Sequence, residues 1–231
     1  MTQSGMPIQM PWLNSVNTLL HAWFGGQETG HGVVDVLFGA VNPSGRLSVT
    51  FPRCIEDTPA YLTFGKADKV LVYGEGVFVG HRYYEMVKRA PMFHFGYGLS
   101  YTQFEYSKLL VPSIFEGRED FVFKISLDIK NAGARDGDEV VQIYVSDRQA
   151  SVQRPVKELK AFTKVHIPVG EKITVSINLD KYAVSFWSED VDEWYAEKGD
   201  FELIIARSAD PKDIVLRAAF KLAESFMWSG L

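Results

Sequence analysis

The chain has 231 residues, 46% of them hydrophobic and 23% charged, which is enough for one large or two modest domains with a real core. A formal net charge of −5, with Lys and Arg spread along the chain, argues against nucleic acid as a partner. No apolar run approaches the ~20 residues of a membrane helix, so no membrane partner is expected, and residues 1–12 carry neither a basic n-region nor an apolar h-region of a secretory signal.

Cys54 is the only cysteine, which excludes an internal disulfide and a cysteine-based zinc site, and it is expected to be a small buried apolar residue. Asn42 cannot act as a glycosylation acceptor because Pro43 follows it. Together these features lean toward an intracellular protein.

In chain order, residues 7–11 read as the end of a strand entering a turn, with Asn14 or Ser15 as an N-cap. Val16, Leu19, Leu20 and Trp23 fall at i, i+3, i+4 and i+7, which predicts a helix ending near Gly25. A second helix is expected from Thr29 to Gly39, with Val33, Val34, Leu37 and Phe38 as its apolar face, and a short strand over 47–51 stopped by Pro52. Helices alternating with apolar strands imply a parallel sheet covered on both faces, and this inventory is too small to build one. The first half is therefore expected to be the tail of a larger domain that begins upstream.

The glycine-rich segment 25–30 has neither dinucleotide-binding nor P-loop spacing, and Glu28 would repel phosphate there. It reads as a tight turn with Glu28 favourable against a helix dipole. His21 and His31 lack the i, i+4 spacing of a helical metal pair, so no metal or cofactor site is expected.

Residues 73–104 concentrate glycines and aromatics and read as a long ordered connection, after which the periodicity changes from helical to alternating. Phe121, Phe123, Ile125, Leu127 and Ile129 interleave with polar residues as a half-buried strand. Further strands are expected over 139–146, 159–167, 173–179, 201–206 and 214–222, separated by turns at 131–133, 136–138 and 168–170. This spacing predicts an immunoglobulin-like or fibronectin type III-like sandwich, the latter favoured by the missing cysteine pair. Trp187, Trp194 and Tyr195 are candidates either for stacking on sugar rings or for core and seam packing, and His166 for the surface.

Taken together, three strings resemble glycoside hydrolase family 3: WFGGQETGHGVVDVLFGAVNPSGRLSVTFP (23–52), YGEGVFVGHRYYE (73–85) and FHFGYGLSYTQF (93–104). NAGARDGDEVVQIYV (131–145), RPVKELKAF (154–162) and VGEKITVSI (169–177) resemble that family's fibronectin-like domain. Fungal β-glucosidases, including those with an inserted PA14 domain, also resemble the chain in its closing Trp-x-Gly-Leu, while His81, His94 and Ala161 depart from residues usual there.

The resemblance implies the end of an α/β sandwich (1–62), a connection (63–110), a fibronectin type III-like β-sandwich (111–224) and a tail (225–231). It also implies a retaining β-glucosidase acting on a β-glucoside through two carboxylates ~5 Å apart. Those carboxylates belong to an N-terminal barrel and an earlier part of the α/β domain, so no residue here is assigned as catalytic and the chain alone is expected to be inactive. Glu28, Asp35, Glu75 and Glu85 are not expected to substitute, because the sequence offers no second wall for a cleft around them. A non-catalytic carbohydrate- or protein-binding module, and a helper subunit for a separate barrel, remain as alternatives. Apolar helix faces left without their sheet make a homo-oligomer possible.

Overall fold

The computed structural model describes residues 1–65, 70–116 and 121–230. It is a β-sandwich following a short α/β portion. One sheet runs in the order β1 (Phe104–Leu110), β3 (Val122–Asn131), β6 (Lys172–Asp180). The facing sheet runs β2 (Ile114–Phe115), β10 (Ile214–Leu222), β9 (Gly199–Ala206), β4 (Gly137–Asp147), β5 (Glu158–Ile167). The period-2 pattern read in the sequence sets which side chains face inward. Phe123, Ile125, Leu127 and Ile129 of β3 are buried against Val141, Ile143 and Val145 of β4 and Leu203 and Ile205 of β9. Each such side chain contributes about 1.5–3 kcal/mol relative to exposure, so this core holds most of the chain's stability.

A third, small sheet joins β7 (Ser185–Ser188), β8 (Glu193–Ala196) and β11 (Phe226–Trp228). Its strands are too short for period-2 reading, and the segment assigned to the tail supplies β11. Likewise β1 lies inside the stretch assigned to the connection and pairs with β3 over Phe104↔Asn131 to Leu110↔Ser126. Residues 66–69 of the connection and Leu231 of the Trp-x-Gly-Leu ending lie outside the described residues.

The first half departs most from its periodicity. The helix expected over 16–23 does not form. A 3-10 turn, Leu13–Ser15, is followed by extended chain in which Thr2 N–H donates to the Leu20 carbonyl at 2.8 Å and Ala22 N–H donates to the Thr2 carbonyl at 2.9 Å. Val16, Asn17 and Thr18 are poor helix formers, and pairing with residue 2 satisfies the backbone instead. Four apolar residues in eight positions do not separate a helix from an irregular strand. The strand expected over 47–51 does not form: the chain bends at residues 48–49 and makes one antiparallel bridge, Phe51↔Phe93.

The second helix does form, as α1 (Thr29–Leu37) entered through a 3-10 turn, Gly26–Glu28. None of its residues is buried, and Phe38 just beyond it is 84% exposed. Among the described residues before Phe104, the buried hydrophobic side chains are Met10, Phe51 and Tyr84, so this half has no core of its own. Cys54, expected to be buried, is half-buried, because the 3-10 turn Ile55–Asp57 that follows it lies at the surface.

Candidate functional site

The connection covers the outer face of β4 and β9. Residues 47–51 run beside 93–97, with Leu47 N–H donating to the Tyr97 carbonyl and Gly96 N–H donating to the Leu47 carbonyl at 2.7 Å. Two glycines make this approach possible. A Cβ on Gly96, where φ is +79°, would overlap the Gln142 amide, and one on Gly98 would overlap the Gly45 carbonyl. Phe95 packs with Tyr144, Ile204 and Ala206 in a second small core outside the sandwich. The string EVVQIYV carries the trace of this arrangement, since β4 is buried on both faces and so reads as a nearly continuous apolar run.

A chain of polar groups crosses this seam. Helix α2 (His81–Met86) places Glu85 against Lys157, whose side chain is 1% exposed and whose ammonium donates to the Glu85 carboxylate and to the Ala209 carbonyl at 3.0 Å. The same ammonium lies 5.6 Å from the centre of the Tyr144 ring. Tyr144 donates to Gln142 Oε1 at 2.7 Å, and Gln142 Nε2 donates to the carbonyls of Gly96 at 3.1 Å and Arg207 at 2.6 Å. His81 stacks on Phe95 at 5.0 Å, and its Nε2 is buried with no hydrogen-bond partner among the described residues. Burial, aided by the nearby cations Arg82 and Lys157, lowers its pKa to about 4.

Farther along the seam, Arg46 Nη2 donates to Glu139 Oε2 at 2.6 Å, and the Tyr106 hydroxyl donates to Glu139 Oε1 at 2.7 Å. Burial, then the Glu139 carboxylate, raises the Tyr106 pKa far above its ordinary value. Asn131 is fully buried and uses its whole side-chain amide: Oδ1 accepts from Thr102 and the Gly133 N–H, and Nδ2 donates to the carbonyls of Arg135 and Ile167. A further cluster joins Arg154 to Asp147 at 3.0 Å and to Glu158 at 2.7 Å, with Arg82 and Lys160 beside Glu158. Burial pushes the Glu158 carboxyl up, but Lys160, Arg154 and Arg82 outweigh it and hold the pKa below its usual value.

Glu28, Asp35, Glu75 and Glu85 are not brought together as a pair. Glu28 precedes α1 and bonds His31 at 2.6 Å in solvent, Asp35 is exposed on α1, Glu75 is half-buried in a turn, and Glu85 is committed to Lys157. His166 is at the surface on Asp138, and His21 packs on Trp23 and Phe51 with Thr2 as hydrogen-bond partner. Trp194 is stacked on Trp228 at 5.5 Å and edge-on to Tyr182, while Trp187 at the sheet edge is 43% exposed. The seam residues Lys157, Glu139, Gln142 and Arg46 were not legible as a group. Glu139 alone left a signal, as a charged residue in step with the inward-facing Val141, Ile143 and Val145.

This fold has known counterparts. Residues 1–101 match the glycosyl hydrolase family 3 C-terminal domain, and residues 139–209 match the fibronectin type III-like domain. The chain belongs to glycosyl hydrolase family 3. It is 46% identical, over its whole length, to a probable β-glucosidase K of Emericella nidulans, and 43% identical over 95% of its length to thermostable β-glucosidase B of Acetivibrio thermocellus. The crystal structure of a β-glucosidase from Kluyveromyces marxianus in complex with glucose superposes on 99% of the chain with a TM-score of 0.91 at 44% identity. The chain spans 27% of the Emericella protein, 29% of the Acetivibrio protein and 27% of the Kluyveromyces structure.

Proposed function

We propose that this chain is the C-terminal part of a retaining β-glucosidase, which hydrolyses terminal β-D-glucosyl residues, and that it is inactive on its own. The observation that carries the reading is the end-to-end match to proteins named β-glucosidases of which it spans about a quarter. Retaining hydrolysis needs a nucleophilic carboxylate and an acid/base carboxyl ~5 Å apart in a substrate-sized cleft. Glu28, Asp35, Glu75 and Glu85 stand apart in solvent, in a turn or in an ion pair, which supports placing that pair in upstream domains. The share of this chain is then structural. The sandwich holds the connection, and the exposed apolar faces of α1 and residues 24 and 62–64 are surfaces for those domains.

The experiment compares the purified 231-residue chain with the product of the in-frame genomic sequence extending 5′ of Met1. The extended product is expected to release nitrophenol from an aryl β-glucoside and the chain alone is not. An extended product without this activity would refute the β-glucosidase reading. In the binding-module alternative, Trp194 would have to act while packed on Trp228 and Tyr182.

A further inference from the structure

Helix α2 is fastened to the sandwich by few contacts. Among its residues only Tyr84 is buried, so its place depends on what its side chains meet across the seam. His81, at its start, meets two rings, stacked on Phe95 at 5.0 Å and edge-on to Tyr144 of β4 at 6.0 Å. The Phe95 carbonyl accepts from Ala209 N–H at 2.8 Å, the Gly96 carbonyl accepts from Gln142 at 3.1 Å, and Glu85, one turn after His81, holds Lys157. The site suits His81 only as a neutral ring, since its Nε2 is buried with no hydrogen-bond partner among the described residues. The charges around it are Arg82 and Glu85 on α2, Lys157 just before β5 and Glu158 on β5. Glu85 is paired with Lys157, and Glu158 with Arg154, Lys160 and Arg82, so a proton on His81 would add an unpaired cation beside two others. Burial, aided by Arg82 and Lys157 and opposed by Glu158, accordingly holds its pKa down at about 4.

We infer that His81 makes this seam an acid-operated latch: protonation of the ring, wedged against Phe95 and Tyr144 with no acceptor for its Nε2, opens α2 and the strip 93–97 away from β4 while the two sheets of the sandwich stay folded. The sheets can stay folded because their core of β3, β4 and β9 side chains lies on the other side of β4 from the connection. His94, in the same strip, has the Asp210 carboxylate at 3.5 Å to receive its charge, which His81 lacks. The latch is a property of the seam alone and does not rest on the β-glucosidase reading.

The test is amide hydrogen exchange of the 231-residue chain at pH 7 and pH ~4.5, corrected for the intrinsic pH dependence of exchange. An opened seam returns His81 to its ordinary value of 6.5, so the opening equilibrium should rise roughly 50-fold between the two conditions. The amides of Val87 and Gly96, bonded to the Tyr83 and Leu47 carbonyls, should lose that factor of protection through an opening of small urea dependence, with the buried Ile125 and Ile143 more protected at both pH values. His81→Phe should remove the fall at the seam, and His166→Gln at the surface should keep it. Independently of any variant, the His81 ring signal of the wild-type chain should titrate well below 6.5. Seam and sandwich amides opening together, or an equal fall in His81→Phe, would overturn the inference. So would a His81 ring titrating at or above 6.5, as it would if its charged form bonded the Glu85 carboxylate.

Discussion

Removing Glu85 tests whether the seam is a structural joint. In Glu85→Ala the Lys157 ammonium, on a side chain 1% exposed, keeps the Ala209 carbonyl at 3.0 Å and the Tyr144 ring at 5.6 Å but loses its counter-ion. Breaking a buried pair from one side costs ~3–5 kcal/mol. The carbonyl and the ring face, the latter worth ~0.5–2 kcal/mol, hold the expected loss near the lower bound, about 3 kcal/mol. At roughly 2–4 °C per kcal/mol for a chain of this size, the thermal midpoint should fall by about 6–12 °C. Lys157→Met keeps the apolar stem and removes the charge, leaving Glu85, whose side chain is 16% exposed, able to turn toward water. Its cost should be about 1 kcal/mol, and the double variant should recover most of the Glu85→Ala loss. Thermal unfolding followed by circular dichroism reads all three. A Glu85→Ala midpoint equal to wild type, or a Lys157→Met loss larger than that of Glu85→Ala, would refute the reasoning.

Acid should weaken the seam in two windows. His81 is buried neutral with a folded pKa of about 4 against 6.5 when unfolded, so the unfolded state binds the extra proton and stability falls between those values, by about 3 kcal/mol in all. Urea midpoints at pH 7 and pH ~4.5 measure it, and His81→Phe should flatten this part of the profile. Glu158, with its folded pKa depressed by Lys160, Arg154 and Arg82, contributes stability above its unfolded value that is lost as the pH falls through the folded one, so its loss comes at lower pH than that of His81. The bare apolar surface around Phe24, 80% exposed, and Phe38, 84% exposed, should make the chain self-associate in sedimentation velocity, and Phe24→Glu with Phe38→Glu should return it toward monomer. Limited proteolysis should cut residues 1–60 before the sandwich, and early cleavage within β3 or β4 would contradict that order.

The sandwich was legible because its strands are long and half-buried. Ile173, Val175, Ile177 and Leu179 alternate without error, and β10 begins and ends where the pattern does. What failed lies where partners are distant in sequence. Residues 16–23 carry a helical pattern but satisfy their backbone on Thr2, and residues 47–51 pair with the connection rather than with a parallel neighbour. Cys54 was expected inside on composition alone, and its place follows from the surface turn beside it. The glycine-aromatic stretch stands out in the sequence by composition, but the residues it packs on do not. Lys157 meets Glu85 across 72 residues and Arg46 meets Glu139 across 93, separations over which no local pattern carries information.

The central claim is that the carboxylates of a retaining β-glucosidase are not in these 231 residues. A 2-deoxy-2-fluoroglucosyl fluoride traps the nucleophile of such an enzyme as a covalent glycosyl ester, and intact-mass spectrometry reads the added sugar directly. The 5′-extended product should gain one fluoroglucosyl group, lying in a peptide upstream of Met1, while the chain alone stays at its unmodified mass. A stoichiometric mass gain on the chain alone, mapped to one of its own Asp or Glu residues, would contradict the account.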